Sequence, residues 1–429
     1  ELTRSTLAGS LTGVFVAISA NDYAQLTVAS SEAPSVYNAT GSSHSIAAGR
    51  LSFVLGLHGP CTAYDTSCSS GLVASHAAMR ALQCMEISRA LVAAVNLMLI
   101  PGVGLSFAIA GMTSTLGRSH TFDARADGYV RAEACASTVL SGTAPEPIDA
   151  LPLPSLIGSS VRQDGRSASL TAPNGLAQQA LLDAALANAA IVPEHLDRVE
   201  AHGTGTALGD PLEARSLALS ALVVAECSQP LALGGIKANI GHAEAAAGLV
   251  GLLNAYMVLQ GAVVPPNAQL QTLNPHVHRA LAQTKIGLST QLVMSQPKKR
   301  AAGSVSSFGY NGTIAHCILG HSAELHAPHT ERPQQSSLQY RRQRFVWRAL
   351  KSRVFHIGST PVLRDETKGK ATVRLGDILA YARIAVDSSL DADMPLLEAG
   401  LDSLGAVELR SRLAQRLGDQ CWRSSLEDS

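Results

Sequence analysis

Cys68 is the side chain best suited in this sequence to act as a nucleophile. It stands in Asp65-Thr66-Ser67-Cys68-Ser69-Ser70-Gly71, among small polar residues that leave room for an incoming acyl group. The run that follows, residues 71–82, carries Leu72, Ala78, Met79 and Leu82 among alanines with no proline, which predicts a helix. A cysteine at the start of such a helix faces unpaired N–H groups and the positive end of the helix dipole. That placement predicts a thiol pKa lowered from about 8.5. Two histidines extend the set. His202 in His202-Gly203-Thr204-Gly205-Thr206 and His242 in Lys237-Ala238-Asn239-Ile240-Gly241-His242 both fall in glycine-bearing loops after expected strands. An α/β sheet presents its functional groups at such positions. One nucleophilic cysteine with two histidines suits thioester chemistry, in which neutral imidazoles donate hydrogen bonds to a carbonyl while an enolate forms. The competing readings are plain ones: lone cysteines and histidines are mostly structural. The loop at His202 also lacks the glycine and lysine spacing of a phosphate-cradling motif.

These side chains need a scaffold of strands and helices. Apolar, partly β-branched runs predict strands at residues 13–18, 51–55, 91–97 and 137–140, so that strand, helix and strand around Cys68 form a βαβ-type unit. After prolines at 145, 147, 152 and 154 a second half follows. It contains an amphipathic helix at 174–190, a strand end at 198–201, a helix from Pro211, a strand at 231–236, an alanine-rich helix at 243–259, and strands at 303–308 and 315–319 around a turn. From 321 to 370 histidine, glutamine and arginine replace the core pattern, as in a linker. Helices at 375–384 and 401–417 then make a small all-α module.

The chain of 429 residues, 46% hydrophobic and 15% charged, holds roughly three average domains or one large double domain plus a small one. Thirty-three basic residues balance thirty-three acidic ones, which points to neither nucleic acid nor an anionic membrane as partner. The seven cysteines show no paired C-x-x-C spacing and fit free thiols in a reducing compartment. No apolar run is long enough to span a bilayer and Glu1-Leu2-Thr3-Arg4 begins no recognisable targeting segment, so the expectation is a soluble, intracellular, by default cytoplasmic protein. Asp123 and Asp127 fit no calcium-loop spacing, and no metal site is expected. The basic clusters Arg341-Arg342-Gln343-Arg344 and Lys298-Lys299-Arg300 read as solvated surface.

Taken together, several motifs resemble one family. Cys68 in Asp-Thr-Ser-Cys-Ser-Ser, His202 in Glu-Ala-His-Gly-Thr-Gly-Thr with Gly209-Asp210-Pro211-Leu212-Glu213, and Lys237 to His242 in Lys-Ala-Asn-Ile-Gly-His look like the signatures of the β-ketoacyl synthase domain of modular (type I) polyketide synthases. The stretches 121–131 and 306–316 resemble the same domain. Downstream, Gly400-Leu401-Asp402-Ser403-Leu404-Gly405 is similar to the attachment motif of an acyl carrier domain. An N-cap is the plain reading of Ser403.

The resemblance implies a thiolase-like fold, a five-layered αβαβα double domain over residues 1–320 with halves at roughly 1–145 and 150–320. A linker at 321–370 and a carrier module at 371–429 would follow. It implies polyketide or fatty acid chain elongation: Cys68 takes an acyl chain as a thioester, and the backbone N–H groups of Cys68 and Phe308 form an oxyanion hole. His202 and His242 promote decarboxylation of a malonyl-type thioester, and Lys237 supplies positive charge. It further implies 4′-phosphopantetheine on Ser403, a phosphopantetheinyl transferase to attach it, carrier-bound acyl and malonyl thioesters, other synthase domains, and a homodimer. The pattern also departs from the family. The family's domain starts well before the region matching Glu1, and the carrier motif is followed by a polar tail, which predicts an incomplete synthase and an incomplete carrier bundle. Gly309-Tyr310-Asn311-Gly312-Thr313-Ile314 replaces a glycine and a polar side chain of the family's turn, and Ala132-Glu133-Ala134 stands where glycines are usual. Two other readings stay open: a non-catalytic scaffold or dimerisation partner that keeps the fold, and a papain-like cysteine protease. The protease lacks its aromatic follower after Cys68 and leaves His242 without a role.

Overall fold

The computed structural model describes residues 4–29, 37–142, 153–223, 230–261, 263–294 and 300–322. The expected linker, the carrier module with Ser403, Lys298-Lys299, the Arg341 cluster, and cysteines 227 and 421 lie outside the described residues. The strands are β1 (Thr12–Ala17), β2 (Cys61–Tyr64), β3 (Arg89–Asn96), β4 (Ala134–Ser141), β5 (Ser155–Gln163) and β6 (Leu196–Glu200), followed by β7 (Leu231–Gly234), β8 (Val263–Val264), β9 (Ile286–Leu288), β10 (Val293–Met294), β11 (Arg300–Phe308) and β12 (Thr313–Ser322).

Two main sheets result. The first has the order β2-β1-β3-β4, and the second has the order β5-β12-β11-β6-β7-β9. In the first, β1 pairs in parallel with both β2 and β3, while β4 runs antiparallel at the edge. In the second, β11, β6, β7 and β9 are parallel, and β12 and β5 complete an antiparallel margin. Every residue of β1 is buried, as expected of a parallel strand covered on both faces. At the edge, β4 alternates half-buried and exposed positions, the pattern of a strand with one covered face.

Between the sheets lie two helices, Ser70–Gln83 and Ala247–Gly261. Their alanines and leucines join β1 and β3 of one sheet to Val305, Ala315, Cys317 and Leu319 of the other in a single core. Small residues set how closely the helices cross. A Cβ on Gly71 would stand 2.7 Å from the Leu249 backbone nitrogen, and one on Gly248 would stand 2.9 Å from Leu72 Cγ. Outside, the helix His44–Leu55 covers the first sheet through Ala48, Leu51 and Leu55. Helices Gly175–Ala189, Gly209–Leu219 and Pro275–Leu281 cover the second. Helix, sheet, helix, sheet and helix are the five expected layers.

One expected strand is wrong. Residues 51–55 are not a strand but the last turns of the helix His44–Leu55. Short apolar runs carry no period of their own, and the deciding signal is Gly56, which ends the helix in the left-handed conformation (φ 67°). The strand that precedes the nucleophile is β2, so the βαβ unit runs from β2 through Ser70–Gln83 to β3, with β1 between them. Among the described residues no helix is long and apolar enough to cross a membrane.

Candidate active site

The three candidate side chains come from the C-terminal ends of parallel strands: Cys68 after β2, His202 after β6 and His242 after β7. Such ends are where α/β sheets carry their sites. Cys68 lies two residues before the helix Ser70–Gln83, on a turn whose preceding residue, Ser67, has φ 57°. A left-handed non-glycine residue costs about 1–3 kcal/mol and persists only where its surroundings hold it. Here the small polar residues do that. Asp65 Oδ1 accepts the Ser67 N–H at 3.1 Å, Ser70 Oγ donates to the Ser67 carbonyl at 2.6 Å, and Ser69 Oγ donates to the Thr66 carbonyl at 2.8 Å. The hydroxyls flanking Cys68 therefore shape the turn as well as leaving space around it.

Cys68 is a free thiol with 8% of its surface exposed. Burial pushes its thiol up, and this outweighs the Ser67 hydroxyl 3.6 Å from Sγ and the positive charge of Lys237, both of which act downward. The sequence predicted the opposite direction. The reason is desolvation: a helix terminus favours the thiolate by a modest amount, whereas taking an anion out of water opposes it more strongly.

Ser307 and Phe308, consecutive residues at the end of β11, tie the nucleophile turn to the histidines. Ser307 Oγ donates to the Cys68 carbonyl at 2.7 Å, and the Phe308 N–H donates to His202 Nδ1 at 3.2 Å. That backbone N–H, expected in an oxyanion hole, thus has an imidazole partner in this state. The backbone at Gly309 runs so close to the Thr66 carbonyl that any side chain there would collide with it.

The protonation of both histidines follows from their partners. His202 Nδ1 accepts from Phe308, and His242 Nδ1 accepts the Glu244 N–H at 2.9 Å. A ring nitrogen that accepts carries no proton, so the proton of each neutral imidazole sits on Nε2. Burial and the nearby Lys237 cation hold both histidines well below the ordinary imidazole range, so they are neutral at pH 7. Their rings lie 5.8 Å apart at 86°, and His242 Nε2 is buried with no hydrogen-bond partner. An orphaned buried donor is costly.

Carboxylates support this arrangement from below. Glu213 accepts the N–H groups of His202 at 2.7 Å and Gly203 at 2.8 Å, and Asp210 accepts those of Phe122 at 2.7 Å and Gly205 at 3.0 Å. Burial pushes Glu213 up to about 7 and Asp210 up to about 6. Lys237 is 4% exposed; burial lowers its pKa, and the charges of Glu200, Glu213, Cys68 and Asp210 oppose that shift. Glu200 in turn binds Arg198 and Asn254, each at 2.8 Å.

Sequence reasoning gave no role to Glu213, Ser307, Arg131, Glu244 or Tyr129. The last three surround His242: Arg131 binds Glu244, and the Tyr129 ring lies 4.8 Å from the imidazole. Residues 121–131 were legible as a motif, but their proximity to His242 depends on a pairing across more than a hundred residues. Asp123, considered for calcium, instead accepts from Arg125 and from the N–H groups of Gln271 and Thr272. In the altered turn, Asn311 has no positive φ, whereas Gly312 has φ 84°. The glycine that the backbone requires is therefore retained, and Asn311 Oδ1 accepts the Thr313 N–H at 3.2 Å.

The cysteine turn and the two histidines stand at matching strand ends, and the chain belongs to the β-ketoacyl synthase family. Residues 1–145 match the Beta-ketoacyl synthase, N-terminal domain, and residues 153–271 match the Beta-ketoacyl synthase, C-terminal domain. Residues 378–419 match the Phosphopantetheine attachment site, which indicates 4′-phosphopantetheine as the cofactor of that segment. Among its relatives is a phenolphthiocerol/phthiocerol polyketide synthase protein of Mycobacterium tuberculosis, 41% identical over 334 residues, which are 77% of this chain and 15% of that protein. A second protein of the same synthase is 40% identical over 331 residues, 76% of this chain and 21% of that protein. This chain thus spans 15–21% of the length of these relatives. Among solved structures, it is similar to the ketosynthase from module 6 of the bacillaene synthase from Bacillus subtilis 168, with TM-score 0.66 and 34% identity over 74% of this chain and 55% of that one. An oxazolomycin ketosynthase domain from Streptomyces albus JA3453 aligns with TM-score 0.68 and 30% identity, covering 77% and 58%.

Proposed function

We propose that this chain catalyses chain elongation by decarboxylative Claisen condensation between an acyl thioester and a malonyl-type thioester. The observation that carries this reading is the matched pair of imidazoles, each with Nδ1 occupied by a backbone N–H and so each offering an Nε2–H. Two such donors stabilise the enolate oxygen that develops as carbon dioxide leaves, without needing a strong base.

In the first half-reaction the Cys68 sulfur attacks the acyl thioester, the carrier thiol leaves with the proton that Cys68 loses, and the acyl group stays on Cys68. The N–H groups of Cys68 and Phe308 receive the oxyanion, with Phe308 turning from His202 Nδ1 toward the carbonyl. In the second, a malonyl-type thioester binds with its carbonyl at His202 and His242 and loses carbon dioxide. The resulting enolate carbon attacks the acyl carbonyl on Cys68, the carbon–sulfur bond breaks, and the departing thiolate takes up one proton. The product is a 3-oxoacyl thioester two carbons longer. Lys237 keeps the carboxylate cluster beneath the histidines compensated and adds positive charge near both steps.

Ser403 is the proposed attachment residue for phosphopantetheine, which supplies a flexible thiol arm when bound, and a phosphopantetheinyl transferase would install it. The acyl and malonyl groups would arrive on carrier domains, with other synthase domains or proteins supplying acyltransfer. A homodimer is part of this reading, supported by the exposed outer edge of β2 beside the nucleophile turn.

The test is to incubate the protein with an acyl thioester and a malonyl-carrier and to follow Cys68 acylation by intact mass and carbon dioxide release separately. Both events support condensation. Acylation without decarboxylation refutes the role of the histidine pair, and the absence of both favours a scaffold. Treatment with a phosphopantetheinyl transferase adds the mass of the arm to the Ser403 peptide if that residue is the attachment point.

A further inference from the structure

Beside His242 is an ion pair that the condensation steps above do not use. Arg131 donates through Nε and Nη2 to the two carboxylate oxygens of Glu244, the second contact measuring 3.1 Å. The side chains are 9% and 11% exposed. Glu244 has φ 46°, a left-handed conformation that glutamate rarely adopts. In that conformation its N–H reaches His242 Nδ1 at 2.9 Å, the contact that leaves the imidazole proton on Nε2.

Arg131 is itself fixed relative to His242. The His242 N–H donates to the Val130 carbonyl at 2.8 Å, and the Ala132 N–H donates to the His242 carbonyl at 2.9 Å, so Arg131 lies alongside His242 in a short parallel bridge. Its guanidinium also lies 5.6 Å from the centre of the Phe107 ring, which limits its swing. A strained residue persists only when its neighbours over-determine it. Here the two-pronged guanidinium contact holds the Glu244 side chain while the bridge holds the backbone around His242.

We propose that Arg131 and Glu244 form a positioning latch that keeps the Glu244 N–H aimed at His242 Nδ1 and thereby fixes the imidazole as an Nε2–H donor. The importance of this latch for turnover rests on the condensation reading, but its effect on the tautomer does not. Arg131 and Glu244 touch no reacting atom in this scheme. They act through His242.

The latch separates three substitutions in the full 429-residue chain. Glu244→Ala removes the carboxylate and leaves a side chain that disfavours the left-handed backbone. Glu244→Gly removes the same carboxylate but tolerates that backbone. Arg131→Lys keeps the charge and loses the fork. In ¹⁵N spectra of histidine-labelled protein, His242 Nδ1 of the wild type shows the unprotonated, hydrogen-bonded signature. Glu244→Ala converts it to a mixture of tautomers, Glu244→Gly less so, and Arg131→Lys part of the way. Decarboxylation falls about 10- to 100-fold in Glu244→Ala, the cost of a misplaced group, while Cys68 acylation stays within about threefold. An unchanged His242 signature in Glu244→Ala overturns the latch. So does an unchanged signature in Arg131→Lys if Glu244→Ala fails to fold. If the wild type shows no decarboxylation, the condensation reading fails, and the spectra still decide whether the latch exists.

Discussion

His242 has two nitrogens with separate duties, so two near-isosteric substitutions should divide them. Asparagine places an amide oxygen near the position of Nδ1 and nothing at Nε2; glutamine places its amide nearer Nε2 and nothing at Nδ1. His242→Asn therefore keeps an acceptor for the Glu244 N–H, 2.9 Å away in the wild type, and loses the buried donor. Loss of one preorganised donor at an oxyanion costs about 2.7–4 kcal/mol, or roughly 100- to 1,000-fold in rate. His242 has no exposed surface, so water does not replace the donor readily, and the loss should fall in the upper part of that range. Activity is not abolished, because His202 retains its own Nε2–H. His242→Gln should keep more decarboxylation but leave the Glu244 N–H without an acceptor, at a cost of about 1–3 kcal/mol in stability. The assay is carbon dioxide release from a malonyl-carrier at saturation, with Cys68 acylation by intact mass and a denaturant melt run in parallel. His242→Asn that decarboxylates within about threefold of the wild type would refute the assignment of the Nε2 proton as an oxyanion donor.

Two further outcomes follow from the same geometry. Gly71→Ala should destabilise the protein by about 1–3 kcal/mol, because the new Cβ would stand 2.7 Å from the Leu249 backbone and force the central helices apart. Gly49→Ala, in the helix His44–Leu55 with nothing within 4 Å of the added carbon, should stabilise it by about 0.4–1 kcal/mol. Denaturant melts of the two variants should thus shift in opposite directions. In a pH titration followed by NMR, neither His202 nor His242 should take up a proton around pH 6.5, where an ordinary histidine titrates. The sign for stability follows: the unfolded chain takes up these protons first as pH falls through 6.5. The two histidines therefore contribute fully above that value and progressively less below it. A transition of either ring near 6.5 would contradict its buried, Lys237-facing environment.

Much of this architecture was legible in the residues. The fully buried β1, the alanine-rich helix after Gly71 and the amphipathic helix after Asn174 read correctly because period and capping are local properties; Asn174 does cap its helix, accepting from the N–H groups of Leu176 and Ala177. Residues 51–55 read incorrectly because a five-residue run with four apolar side chains fits either a strand or a helical turn, and only packing against the first sheet decides between them. Residue order alone marks the candidates for chemistry: one cysteine in a turn of small polar residues, and two histidines in loops after strands. Their state was settled only by packing in three dimensions. Burial set the direction of the Cys68 pKa against the helix terminus, since desolvation depends on neighbours far away in the chain. The histidine tautomers came from Phe308 and Glu244, and the hold on Glu244 came from Arg131, 113 residues earlier. Such contacts have no signature in spacing, because a hydrogen bond is fixed by distance in space and not by separation along the chain.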